Sequence, residues 1–269
     1  MCTQTSVSMV SVSEEKYRRL SFIKDQVIEG NLDIESEIGL ILPTYCEAAN
    51  IGKLLDEIES LNLNVCILVI DDSSPDGTAD VVRGMQKKYG NILLFVRPKK
   101  LGLGTAITDG FRIFLSLKRT PKYLVTMDAD YSHNPTEIPK LVALIKQGYD
   151  LVIGSRYCHG GGIKDWGVLR KAMSRVANLI TKLRIHAKIS DYTSGMRCYS
   201  ARLVKGVIND LHSHTYEIQI ETIRQAQIKN FKITEAPITF TDRKKGKSKL
   251  SVNEIFDFLT YTFSLNREE

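Results

Sequence analysis

The sequence is poor in features that mark several large protein classes. Its five cysteines, Cys2, Cys46, Cys66, Cys158 and Cys198, are scattered and never form CxxC. That excludes a paired-cysteine zinc site and argues against a disulfide framework; a reducing compartment suits it best. No window offers about 18 uncharged apolar residues, so no membrane-spanning helix is visible. The opening "MCTQTSVSMV" has no basic start before an apolar run and does not read as a secretory signal. The histidines (His133, His159, His186, His212, His214) have no metal-ligand spacing and form no Ser/His/Asp set. "LGLGTAITDG" approaches a dinucleotide fingerprint, but Ile107 stands at the third glycine's place, and no P-loop lysine follows a G-x-x-x-x-G.

What remains is ordinary globular material: 269 residues, 43% hydrophobic, 25% charged, with a net charge of +6. The excess positive charge suits an acidic partner such as a nucleotide, a phospholipid or a nucleic acid. The densest basic stretch, "TDRKKGKSK" (241–249), has no aromatic residues for stacking on bases, which discounts nucleic acid.

Residues 14–36 read as a polar helix, so residues 1–36 are expected to be an N-terminal helical appendage. A strand–helix rhythm then begins. Short apolar runs at 38–43, 65–71, 91–96, 123–128 and 149–156 read as strands, and the segments between them show helical spacing, as with Ile51, Leu54, Leu55 and Ile58. Asn134 and Pro135 form a plausible helix start. This order predicts an α/β fold with a mostly parallel sheet flanked by helices. Beyond residue 156 come a Gly-rich loop, a helix over 168–185, a polar turn, a short strand, two helices, a strand over 232–240 and a final apolar-rich helix. With no linker and no repeat, residues 37–269 read as a single domain.

In such sheets ligands bind beyond the carboxyl ends of the strands. "PTYCE", "DDSSPDG", "RPKKLGLG" and "DADYSH" each follow a strand, so all four polar clusters are expected on one sheet edge. Asp128 and Asp130 are two residues apart, and two close carboxylates need a positive partner. A hard divalent cation, Mg²⁺ or Mn²⁺, bridging them to a diphosphate answers that need, with Ser132 or His133 as a further ligand. The bland alternative is a strand-end turn in which Asp130 caps the next helix. Asp72, at the end of the second strand, suits contact with a base N–H or a ribose hydroxyl, whereas Asp76 reads as turn chemistry. Gly102 and Gly104 read as permitting close backbone approach at a helix start.

The helix over 168–185 has two faces. Leu169, Met173, Val176, Ile180 and Leu183 share one side; Lys171, Arg175, Asn178 and Lys182 share the other. Core packing of the apolar side is the default expectation, and the basic side could also meet anionic headgroups. The final helix, "VNEIFDFLTYTFSL", is expected to pack on the core or to lie at a membrane surface.

Taken in order, "LPTYCEAANI", "VIDDSSPDGTAD", "MDADYSHNP", "GSRY", "SDYTSGMRCYS" and "DRKKGKSKLS" resemble the dolichol- or polyprenol-phosphate mannose synthases, inverting glycosyltransferases of the GT-A fold and family 2. The resemblance spans about residues 37–260. It implies a nucleotide-binding half (37–156) and an acceptor-binding half (157–269). It implies GDP-mannose as donor, a polyprenyl or dolichyl phosphate in a membrane as acceptor, and Mg²⁺ or Mn²⁺ as cofactor. It further implies peripheral attachment at the cytoplasmic face of a membrane, and in some members a small membrane-bound partner subunit. Carried over residue by residue, Pro43, Tyr45, Glu47, Ile70 and Asp72 would hold the nucleoside. Asp128, Ala129 and Asp130 would hold diphosphate, sugar and metal, with Ser132 reaching the metal. Arg156 would lie in the sugar region, and Arg243 and Lys249 would clamp the diphosphate and the incoming phosphate. Cys46 departs from the family's usual Asn. A transferase using UDP-glucose or another UDP-sugar, and a nucleotide-sugar-binding subunit without turnover, remain open at this stage.

Overall fold

The computed structural model describes residues 27–185, 187–242, 258 and 260–264. Most of the expected N-terminal helix, the basic loop with Arg243 and Lys249, and most of the final helix lie outside those residues.

Ten strands are described: β1 (Ile28–Glu29), β2 (Ile38–Thr44), β3 (Val65–Asp71), β4 (Ile92–Val96), β5 (Tyr123–Thr126), β6 (Leu151–Ser155), β7 (Gly162–Lys164), β8 (Arg197–Ser200), β9 (Ile233–Pro237) and β10 (Thr239–Thr241). Eight of them form one sheet in the order β1-β4-β3-β2-β5-β8-β6-β9. The central strands pair in parallel, β2 with β3 and β5, and β3 with β4. They are apolar on both faces because helices cover both faces. Leu40 and Leu42 face α1 (Ala48–Ser60), α2 (Thr78–Gln86) and α4 (Ile138–Ile145). Ile41 faces the other way, toward α3 (Leu103–Ser116), α6 (Ala201–Val207) and α7 (Ile218–Ile228).

The sheet is mostly parallel, as expected, with β8 antiparallel between β5 and β6 and β1 antiparallel to β4. Two details differ from the sequence reading. Within the expected N-terminal helix, the described residues 27–36 hold an edge strand instead: Ile28 pairs with Phe95 and Glu29 with Leu94. Gly30, at φ +120°, and the turn in which Asn31 accepts the Asp33 N–H end that strand. The expected strand over 232–240 divides at Pro237. Residues before it join β6, and residues after it pair with β7 in a separate two-stranded sheet. A proline has no N–H to carry a ladder forward.

Helix α5 (Val168–Ile185) stands apart from both layers. It gives the core Ile185 and, at the core's edge, Ala177. Among the described residues, no helix is long and apolar enough to cross a membrane.

Candidate active site

The loops after β2, β3, β4 and β5 converge on one cleft at the carboxyl edge of the sheet. Pro43, Tyr45, Glu47, Ile70, Asp72, Asp128, Ala129 and Asp130 all line it. The register explains the convergence, because Pro43 is paired with Ile70 across β2 and β3 and the β5 loop lies beside them. Lys100, Leu103 and Tyr216, among residues that the sequence reading did not single out, join the wall. The Lys100 ammonium lies 5.0 Å from the centre of the Tyr45 ring, within cation–π reach.

Strand β5 ends at Thr126, so Asp128 and Asp130 sit on a loop rather than on extended backbone. The loop is held in detail. The Asp128 N–H donates to His133 Nδ1 at 3.2 Å, and the Ser132 N–H donates to Asp130 Oδ1 at 3.0 Å. Tyr131 between them has φ 64°, a left-handed conformation that a bulky residue adopts only when its surroundings impose it. Gly195 backs the loop closely: a Cβ there would lie 3.3 Å from Asp128 Oδ1. Burial lowers the pKa of the His133 imidazole despite the opposing pull of Asp128 and Asp130, so it stays neutral. Its Nδ1 is taken up by the Asp128 N–H, and this assigns His133 to positioning that aspartate.

The donor set suits a hard cation. Two carboxylates reach the cleft, and the buried Ser132 hydroxyl beside Asp130 has no hydrogen-bond partner among the described residues. Magnesium and manganese take such oxygen ligands and complete their shells with phosphates and water.

Asp72 lines the cleft, but its oxygens are already engaged. Arg97, 1% exposed, donates from Nε to Oδ1 at 2.5 Å, and the Leu101 and Gly102 N–H groups donate to Oδ2. Arg97 also donates to Thr105 Oγ1 and to the Gly102 carbonyl. Asp72 therefore fixes the 97–102 loop as well as presenting an edge to the cleft. Gly102, at φ +98°, would put a Cβ 2.4 Å from the His214 carbonyl. The expected close approach at this helix start is real, but the approaching group is the protein's own 212–217 loop. Glu217 and Glu221 pin that loop by accepting the N–H groups of residues 212–215, which brings Tyr216 to the cleft.

Asp76 behaves as turn chemistry. Burial pulls its pKa upward, but the Thr78 hydroxyl and the Ala48 and Thr78 N–H groups prevail and hold it low. Cys46 has φ 58°, a conformation that Asn tolerates better than Cys, so the departure from the family pattern carries some backbone strain.

The structure does not bring Arg156 to the cleft wall. It is buried against Asp191, with Nε–Oδ2 and Nη2–Oδ1 both at 2.7 Å, and donates to Thr193 Oγ1. Tyr157, Trp166 and Phe240 surround its guanidinium. Arg243 and Lys249 fall outside the described residues.

Residues 40–208 match the sequence profile of glycosyl transferase family 2. The chain belongs to that family. It is 34% identical over 237 residues to a dolichol-phosphate mannosyltransferase of Pyrococcus furiosus, a match covering 87% of this chain and 64% of that protein. It is 35% identical over 218 residues to a polyprenol monophosphomannose synthase of Mycolicibacterium smegmatis, covering 80% and 82%. The architecture is that of GT-A glycosyltransferases. A glucosyl-3-phosphoglycerate synthase from Mycobacterium tuberculosis, solved with Mn²⁺, UDP and phosphoglyceric acid, superposes with a TM-score of 0.61 at 17% identity, covering 88% of this chain and 82% of that one. A mannosyltransferase from Pyrobaculum calidifontis, solved with GDP-Man and Mn²⁺, gives 0.54 at 15% identity, covering 88% and 65%.

Proposed function

We propose that this family 2 chain transfers mannose from GDP-mannose to a polyprenyl or dolichyl phosphate, with inversion, at the cytoplasmic surface of a membrane. The observation that carries the reading is the cleft, where loops from four neighbouring strands meet around Asp128 and Asp130. The names and 34–35% identities of the two relatives support the choice of sugar and acceptor.

In this reading a phosphate oxygen of the lipid forms a bond to the anomeric carbon as the bond from that carbon to the β-phosphate oxygen breaks. The bonding pair leaves with GDP. The attacking phosphate is already anionic at neutral pH, so no general base is required. Asp128, Asp130 and Ser132 would hold Mg²⁺ or Mn²⁺, which when bound neutralises charge on the leaving diphosphate. His133 keeps Asp128 in place through its backbone N–H. Pro43, Tyr45, Glu47, Ile70 and Asp72 form the nucleoside wall, with Lys100 beside Tyr45 adding positive charge. Ala129 faces the sugar. Arg243 and Lys249 take the leaving-group role that the family resemblance implies, and a small membrane-bound subunit is compatible with it. Catalysis then rests on positioning and electrostatics.

The test is a transfer assay with a short-chain polyprenyl phosphate in detergent, Mn²⁺, and either GDP-mannose or UDP-glucose. GDP and mannosyl lipid are expected from the first donor alone, and Asp130→Ala should lower the rate about 100-fold or more. Turnover of UDP-glucose alone would move the donor assignment, saturable nucleotide binding without product would make the chain a binding subunit, and full activity in Asp130→Ala would remove the metal role.

A further inference from the structure

We propose that Lys100 is a specificity residue that reads the O6 and N7 edge of guanine in the nucleotide sugar. The inference deepens the proposed reading and rests on it for the identity of the nucleotide. Lys100 is the one cation among the described residues that line the cleft. It stands on the loop after β4, and that loop is held. The Leu101 N–H donates to Asp72 Oδ2 at 3.1 Å, and Arg97 donates from Nη2 to the Gly102 carbonyl at 3.0 Å. The side chain leans toward the loop after β2, where its ammonium lies 5.0 Å from the centre of the Tyr45 ring. A lysine on a pinned backbone beside an aromatic face gives up less freedom on meeting a ligand than one on a loose loop.

Order along the sheet edge decides which part of the nucleotide Lys100 meets. The strands run β4-β3-β2-β5, so Lys100, Asp72, Tyr45 and Asp128 follow one another along the cleft. At about 4.8 Å between neighbouring strands, β4 lies about 14 Å from β5. A diphosphate held at Asp128 and Asp130 therefore sends its ribose and base toward the β3 and β4 loops. On the other side of β5 the sheet continues with β8, whose carboxyl end points the opposite way. Apolar residues of the cleft lie on the side of Lys100: Pro43 and Ile70 near the ends of β2 and β3, and Leu103 and Ala106 in the first turn of α3. They make a slot for a flat ring.

Hydrogen-bond chemistry then selects the base. An ionised Asp72 can only accept and Lys100 can only donate. The bond from the Leu101 N–H keeps the two side by side. Guanine offers N1–H beside O6, with N7 next to O6, so one donor and two acceptors meet the pair. Adenine offers the reverse, an acceptor at N1 beside a donor at N6, and sets its amino group against the ammonium. Uracil matches with N3–H and O4 but has no second acceptor for the lysine.

The test is calorimetric titration of the full chain with GDP, ADP or UDP in the presence of Mn²⁺. Wild type is compared with Lys100→Met, which keeps the apolar stem and removes the charge. Lys100 is exposed, so the variant should fold. GDP affinity is expected to fall at least about tenfold, as for the loss of a charge-assisted hydrogen bond. ADP should bind no more weakly than before, so the preference for GDP over ADP shrinks by the same factor. An equal loss for all three nucleotides would mean that the lysine meets the phosphates, and it overturns the proposal. So does an unchanged GDP affinity, or a wild type without preference for GDP over ADP. Wild-type preference for UDP over GDP would instead sink the donor assignment of the proposed reading, and the ratio of GDP to ADP would still decide what Lys100 reads.

Discussion

Helix α1 turns Ile51, Leu54, Leu55 and Ile58 into the sheet and leaves Lys53 in water. Helix α5 turns Leu169, Met173, Val176 and Leu183 to solvent and buries Asn178 and Thr181. Both sequences are segregated into a polar and an apolar side. The contrast shows that segregation reports two environments without saying which of them is protein. Connectivity decides for α1: it is the crossover between β2 and β3, and a crossover helix has to lie on the sheet. Helix α5 follows a Gly-rich loop, and the sheet's faces are covered by other helices. Charge differs as well. Helix α1 carries both signs, with Lys53 and Glu57 3.5 Å apart, whereas α5 carries cations alone.

The largest expected effect comes from undoing what fixes α5. The loop under it is anchored by the buried Arg156–Asp191 pair. Asp191→Ala would leave the guanidinium buried without its counter-charge, a loss of about 3–5 kcal/mol in urea unfolding. A loss under about 1 kcal/mol would mean that the loop is held otherwise. The pair also has a pH signature. Burial pushes the Asp191 carboxyl up, but the Arg156 charge and hydrogen bonds from Arg156 and Thr193 more than offset that and hold it below its ordinary 3.8. The unfolded chain therefore takes up the proton first. The stabilisation is complete above the ordinary value and is lost as pH falls through it toward the folded one. Asp191→Asn should lack that component of the acid dependence.

Next in size is the α1 side of the contrast. Leu54 is fully buried between α1 and the sheet, and Leu54→Ala should cost about 2–5 kcal/mol, measured by urea or thermal unfolding. A small cost would mean that α1 is not the packed partner of the sheet that the geometry describes.

The sheet and the cleft edge were legible for one reason: a parallel strand must end where its polar loop begins. Pro43, Asp72 and Asp128 could be set on one edge from that rule, and they share a cleft. Long-range pairing was not legible. Nothing in "MRCYS" says that β8 runs antiparallel between β5 and β6. The engagement of Asp72 needed Arg97, 25 residues away, to be brought beside it. Tyr216 arrives through a loop pinned by Glu217 and Glu221, and no strand precedes it to mark its place. Arg156 was visible as a cation near the site, but its partner Asp191 is 35 residues distant, so its burial in that pair could not be read locally.

The smallest effect is the most discriminating. Leu183→Ala deletes the same atoms as Leu54→Ala from the same residue type, in a helix of comparable standing. At 58% exposure the lost side chain had little protein around it, so the change in unfolding free energy should stay within about 0.5 kcal/mol. The difference between the two truncations then measures environment alone, since chemistry and helix propensity cancel. A cost near that of Leu54 would mean that α5 packs its apolar stripe against protein after all. A near-zero cost would show that the stripe lies outside the protein core. Stability alone would give no reason to keep Leu183 apolar.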